Sequence, residues 1–110
     1  MPGTMVGRGN ILYDWVIGPT LTPVAVAGST SAAQSFTVSG LQLGDFVDVN
    51  FNGTQTAGLG IVNARVSATD TLTITFSNST AGTLTPATGQ YFMNICRVEG
   101  GTANLATTAA

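Results

Sequence analysis

The chain has 110 residues, 44% of them hydrophobic and only 7% charged, with three basic residues (all arginine), five acids, no histidine and a net charge of −2. Soluble proteins usually carry about a quarter charged residues, so polarity here falls to Thr, Ser, Asn and Gly. That balance excludes a disordered tail and offers no basic footprint for nucleic acid or an anionic membrane; without histidine, Ser-His-Asp and Cys-His devices and His-ligated metal sites are unavailable.

One domain is expected, long enough to bury on the order of 65% of its unfolded surface. Residues 1–19 read as an extended N-terminal arm. Gly3, Gly7 and Gly9 loosen its start, Ile11 to Ile17 is dense in large apolar groups, and Gly18-Pro19 separates it from the first core strand. Residues 20–98 read as the folded domain. Strands are expected over Leu21 to Val26, Gln34 to Val38, Val47 to Phe51, Ile61 to Val66, Thr71 to Ser77 and Tyr91 to Val98. The clearest alternation puts Leu72, Ile74 and Phe76 on one face and hydroxyls on the other, the period of a half-buried strand. Gly and Asn in the intervening segments suit turns. Short strands at near-regular spacing, with no segment patterned as a crossover helix, predict an all-β fold: an antiparallel β-sandwich, jelly-roll-like in character. Residues 99–110 are small and polar and read as a fraying tail.

The last strand looks apolar on both sides, with Tyr91, Met93 and Ile95 opposed by Phe92, Cys96 and Val98, so it should be covered twice. The arm or a neighbouring subunit could supply the second cover. Tyr13 and Trp15 alternate with Asp14 and share a face if extended. They either plug their own sandwich or anchor the arm on another subunit, as Tyr and Trp do at binding hot spots. Candidate interface residues are therefore Arg8, Ile11, Tyr13, Trp15, Ile17, Tyr91 and Met93. Arg65 and Arg97 are expected to pair with Asp48, Asp70 or Glu99.

Other candidates resolve to bland roles. The lone Cys96 cannot close an intrachain disulfide and should pack as a small hydrophobe. Asp45, Asp48 and Asn50 lack the ligand series of a calcium loop, and Asp45 after Gly44 should cap a turn. Gly58-Leu59-Gly60 has no helix behind it to cradle a phosphate. Asn52-Gly53-Thr54 and Asn78-Ser79-Thr80 match glycosylation acceptors, which a Thr- and Ser-rich chain produces by chance. No carboxylate pair is spaced for acid–base work. The reading is non-enzymatic, with no cofactor and no metal; the N-terminus shows no signal-peptide pattern, and cytosolic synthesis is expected.

The run Phe36-Thr37-Val38-Ser39-Gly40-Leu41-Gln42-Leu43-Gly44-Asp45-Phe46-Val47, then Ala64 to Ile74 leading into Phe76-Ser77-Asn78-Ser79-Thr80, then Thr85-Pro86-Ala87 before the final strand, resembles small β-rich structural proteins of tailed-bacteriophage morphogenesis modules, among them capsid decoration (cement) proteins. The likeness covers roughly residues 20 to 98. It implies a virion structural protein on the capsid exterior, partnered by the major capsid protein and by itself as a homotrimer, which clamps neighbouring capsomers. The alternatives are a tail- or fibre-associated module that binds host-surface carbohydrate, a free-standing immunoglobulin-like adhesion domain and, distantly, an enzyme.

Overall fold

The computed structural model describes residues 11–99. Seven strands form in chain order: β1 (Ile11–Ile17), β2 (Thr20–Leu21), β3 (Thr30–Thr37), β4 (Phe46–Phe51), β5 (Leu59–Ala68), β6 (Thr71–Asn78) and β7 (Gly89–Val98). All pairings are antiparallel, in two sheets that pack as a β-sandwich. In the first sheet β7 is central, with β4 along one side and β1 then β2 along the other. In the second, β6 is central between β3 and β5.

Directly paired residues project to the same face of an antiparallel ladder, and the pairings define the inner rows. Ile17 and Val49 flank Met93, Trp15 and Val47 flank Ile95, and Phe51 lies opposite Tyr91. From the second sheet Leu72, Ile74 and Phe76 meet them, joined by Phe36, Ile61 and Val66. The strict alternation of β6 is thus the mark of its inward face. Its outward face carries Thr73, whose hydroxyl shares hydrogen bonds with Ser35 at 3.0 Å and Ser67 at 2.7 Å. These are cross-strand hydroxyl contacts of the kind that hold a polar sheet face together.

Two expectations about the first sheet change. The strand expected over Leu21 to Val26 ends at Leu21, because Pro23 has no N–H to continue a ladder. Val26 rejoins through a single bridge to Leu84. Between them the Gln34 side chain stands in for a strand: Val24 N–H donates to its Oε1 and its Nε2 donates to the Val24 carbonyl, both at 2.8 Å. The described part of the expected arm, Ile11–Ile17, lies within the sandwich as β1, antiparallel to β7 of its own chain. Its alternation of large apolar residues is that of a sheet strand and buries best where β7 already offers Ile95 and Met93. Arg8 and the tail beyond residue 99 lie outside the described residues.

The 79–88 connection before β7 is fixed by one buried amide. Asn78 Nδ2 donates to the carbonyls of Val26 and Gly82, both at 2.9 Å, while its Oδ1 accepts from Thr80 N–H at 2.9 Å and Thr80 Oγ1 at 2.7 Å. Each partner is backbone or a neighbouring hydroxyl, so removing the amide strands several polar groups at once. Asn78→Ala should therefore cost about 2–3 kcal/mol, read as a lowered urea midpoint, whereas Ser35→Ala on the outer face should cost under about 1 kcal/mol.

Candidate functional site

The segment Val38 to Asp45, between β3 and β4, closes one end of the sandwich. Val38 and Leu41 are buried plugs. Gly40 takes a φ of +96°, a conformation costly for side-chain-bearing residues. That turn directs its N–H to Asp70 Oδ1 at 2.8 Å and its carbonyl to Arg97 Nη2 at 2.8 Å. Asp70 sits at the β5–β6 turn, itself at positive φ, and its backbone N–H donates to the Leu41 carbonyl at 2.9 Å. One loop thus links the turn of the second sheet to the central strand of the first.

Arg97 is the anchor of this end. Its Nε donates to Asp45 Oδ1 at 2.9 Å and its Nη2 to Asp45 Oδ2 at 2.8 Å, a bidentate fork. Asp45 also receives Gln42 N–H on Oδ2 at 2.9 Å, so it caps the turn as expected. The expectation that Arg97 pairs with Asp48, Asp70 or Glu99 is corrected for the pair the side chains make: Gly44 and the tight Gln42–Asp45 turn bring Asp45 against β7, while Asp70 is engaged by Gly40. Burial alone would raise the Asp45 pKa. The Arg97 hydrogen bonds, the Gln42 N–H and the Arg97 charge outweigh it and hold the carboxyl below its usual value. The same pair raises the Arg97 pKa through the Asp45 hydrogen bonds, against desolvation.

The guanidinium continues into an aromatic corner. Arg97 Cζ lies 5.2 Å from the centre of the Trp15 ring, over its face. Tyr13 and Trp15 share a face of β1, as their spacing predicts, and their rings meet edge to face, 5.6 Å apart at 89°. Trp15 packs on the core and is half-buried; Tyr13 remains 55% exposed. Tyr13, Asp14, Trp15 and Arg97 line an open cleft of about 280 Å³. A second depression of about 260 Å³ on the other side of Arg97 is lined by Leu12, Gln42, Leu43, Gly44, Asp45, Arg97 and Val98.

The remaining candidate interface residues divide. Tyr91 and Met93 are 0% and 1% exposed and belong to the core of their own chain, so neither is presented to a partner. Tyr91 packs against Phe51, ring centres 4.7 Å apart and tilted at 48°, and donates its hydroxyl to the Ala87 carbonyl at 2.6 Å. Gln55, which no sequence signal singles out, holds that loop by donating to the Tyr91 hydroxyl and accepting from Ala87 N–H. Burial raises the Tyr91 pKa, against the Gln55 hydrogen bond. Ile11 and Ile17 are half-buried in β1. The surface that sequence reasoning misses is the outward row of the first sheet. Val16 is 68% exposed, Phe46 52% and Phe92 41%, set among Asp14, Asp48, Asn94 and the half-buried Cys96. The two-sided apolar character expected of β7 is therefore real at Phe92 but interrupted by Asn94. The second sheet turns Ser31, Ser35, Thr37, Thr73 and Thr75 outward. Among the described residues no cluster of three or more His, Cys, Asp or Glu could hold a metal. Comparison with family models, curated proteins and solved structures finds no match.

Because the folded pKa of Asp45 lies below the unfolded value near 3.9, its contribution to stability is full above about pH 4 and is lost as pH falls through the folded value. Urea midpoints measured from pH 7 down to pH 2 should drop in acid for the natural chain and flatten for Asp45→Asn. Arg97→Ala at pH 7 should cost about 3 kcal/mol, since it leaves the nearly buried carboxylate without its charge partner.

Proposed function

We propose that this protein is a non-enzymatic structural component of a tailed-phage virion, bound to the outside of the capsid and stabilising the shell. One observation carries the reading: of the eight large hydrophobic side chains left exposed among the described residues, five (Leu12, Tyr13, Val16, Phe46 and Phe92) lie on the strands of one sheet and a sixth, Leu43, on the loop beside it. Exposed apolar groups gathered on one sheet of a charge-poor chain mark a surface made to meet other protein. The residue order that resembles cement proteins points to the major capsid protein as partner, with self-association as a homotrimer and location on the capsid exterior.

The mechanism on this reading is mass action. A ligand that binds the assembled lattice and not its separated parts stabilises the lattice by about 2.7 kcal/mol when present at a hundredfold excess over its dissociation constant. Trimeric linkage multiplies weak contacts through effective concentration. Individual copies can then bind weakly while the shell as a whole resists opening. A second reading, a tail or fibre module for host-surface carbohydrate, draws support from the open cleft beside Tyr13 and Trp15.

Two measurements separate these. Copy number in purified virions, counted by mass spectrometry against the major shell protein, should approach one to one for a cement protein; a handful per particle would move it to the tail. Val16→Asp combined with Phe92→Asp, both at exposed sites, should leave the melting temperature within a few degrees and reduce shell occupancy at least tenfold. Undiminished occupancy would remove the first sheet from the interface.

A further inference from the structure

Tyr13, the outer ring of the aromatic corner, is not needed to hold the sandwich. Trp15 reaches the core, and Asp45 and the Gly40 carbonyl already anchor Arg97. Tyr13 contributes little burial, yet it stands at a right angle to Trp15 beside an open cleft. Large aromatic rings held this way, with their orientation fixed by a neighbouring ion pair, are a preorganised surface.

We propose that this cleft is a binding subsite for a neutral saccharide, with Tyr13 and Trp15 as its apolar walls and Arg97 as its polar rim. This rests on the carbohydrate reading and deepens it to a ligand class and a set of residues; it does not depend on how the protein meets a shell. Three features select the class. The volume of about 280 Å³ is at the lower limit of small-molecule sites and suits a single sugar ring. The open wall is the exposed Tyr13 ring, set edge to face with Trp15, and an aromatic face attracts the polarised C–H bonds of a pyranose. The rim offers the Arg97 guanidinium, a donor to sugar hydroxyls.

Charge removes the neighbouring classes. Arg97 is neutralised by Asp45, so the cleft has no net positive charge to hold an acidic sugar or a phosphate. A quaternary ammonium would want an open indole face, and Arg97 already covers one face of Trp15. Trp15 is the only tryptophan in the chain, so its emission reports on this cleft alone.

The test titrates the full chain with N-acetylglucosamine, methyl β-glucoside, methyl β-galactoside and short oligomers of each, with sialic acid as the acidic comparator. Calorimetry reads binding wherever it occurs, and Trp15 emission reads it at the cleft. The expected result is a saturable emission change with at least one neutral sugar, none with sialic acid, and affinity at least tenfold weaker in Tyr13→Ala, with Tyr13→Phe intermediate and Phe92→Ala unchanged. Calorimetric binding that survives Tyr13→Ala at full strength would overturn the site while leaving carbohydrate binding standing. No heat and no emission change with any neutral sugar at 10 mM (roughly a 3 kcal/mol interaction by the affinity relation) would overturn both.

Discussion

The forked ion pair between Arg97 and Asp45 locks the Val38–Asp45 loop onto the end of the β4–β7 ladder. Arg97 ends the central strand of the first sheet, Asp45 precedes its neighbour β4, and the same guanidinium holds the Gly40 carbonyl of the loop that caps the second sheet's turn. In a chain with so few charges, one of three cations and one of five acids are committed to this joint. A nearly buried carboxylate is costly unless paired, and here each carboxylate oxygen accepts a charged donor and one also accepts a backbone N–H. The pairing fixes where Arg97 lies, and through it the angle of Trp15 and the shape of both depressions beside it. Structural anchor and candidate recognition surface are therefore one arrangement.

Elsewhere the molecule solves with neutral groups what other proteins solve with charge. Asn78 makes four hydrogen bonds at the end of β6, Gln34 completes a broken edge at Val24, and Gln55 holds the segment before β7. Side-chain amides carry both donors and acceptors, so Asn78 and Gln34 each satisfy a backbone N–H and a carbonyl from a segment that has left its ladder, and Gln55 satisfies Ala87 N–H and the Tyr91 hydroxyl. The hydroxyl row across Ser35, Thr73 and Ser67 does the same work on the outer face. Hydroxyl groups make that side polar, which leaves the first sheet's apolar row as the chemically distinct surface.

How much of the fold is legible in the sequence depends on how far each signal reaches. Period-two alternation places Leu72, Ile74 and Phe76 inward because burial is decided locally, by which side of a pleat a residue occupies. The same periodicity places Tyr13 beside Trp15. It cannot say which strand Ile11–Ile17 lies against, since alternation carries no information about partners, and the apolar density of that segment fits an exchanged arm as well as an internal strand. Tyr91 and Met93 read as interface residues for the same reason: a strand with apolar residues on both sides does not reveal which side its own chain covers. Asp45 is legible as a turn cap from Gly44-Asp45, but its bond to Arg97 spans 52 positions and leaves no local trace. The amide roles of Asn78 and Gln55 are equally invisible, because an amide's value depends on orphaned backbone groups that exist only after folding.

The pairing of β1 with β7 has a kinetic consequence. Ile11 lies opposite Val98, so the first sheet joins two ends of the domain and its central strand is the last one made. Contacts so far apart in sequence require loop-closure entropy to be lost before any burial repays it, and chains dominated by them fold slowly. During synthesis the β5–β6 hairpin can form early around its short turn, and β3 can join it. The inward faces of β1 and β4 must wait, exposed, until β7 emerges to cover them. Such a chain completes its fold after translation of its final strand, and the interval before closure is when its unpaired apolar strands are most open to pairing with another copy.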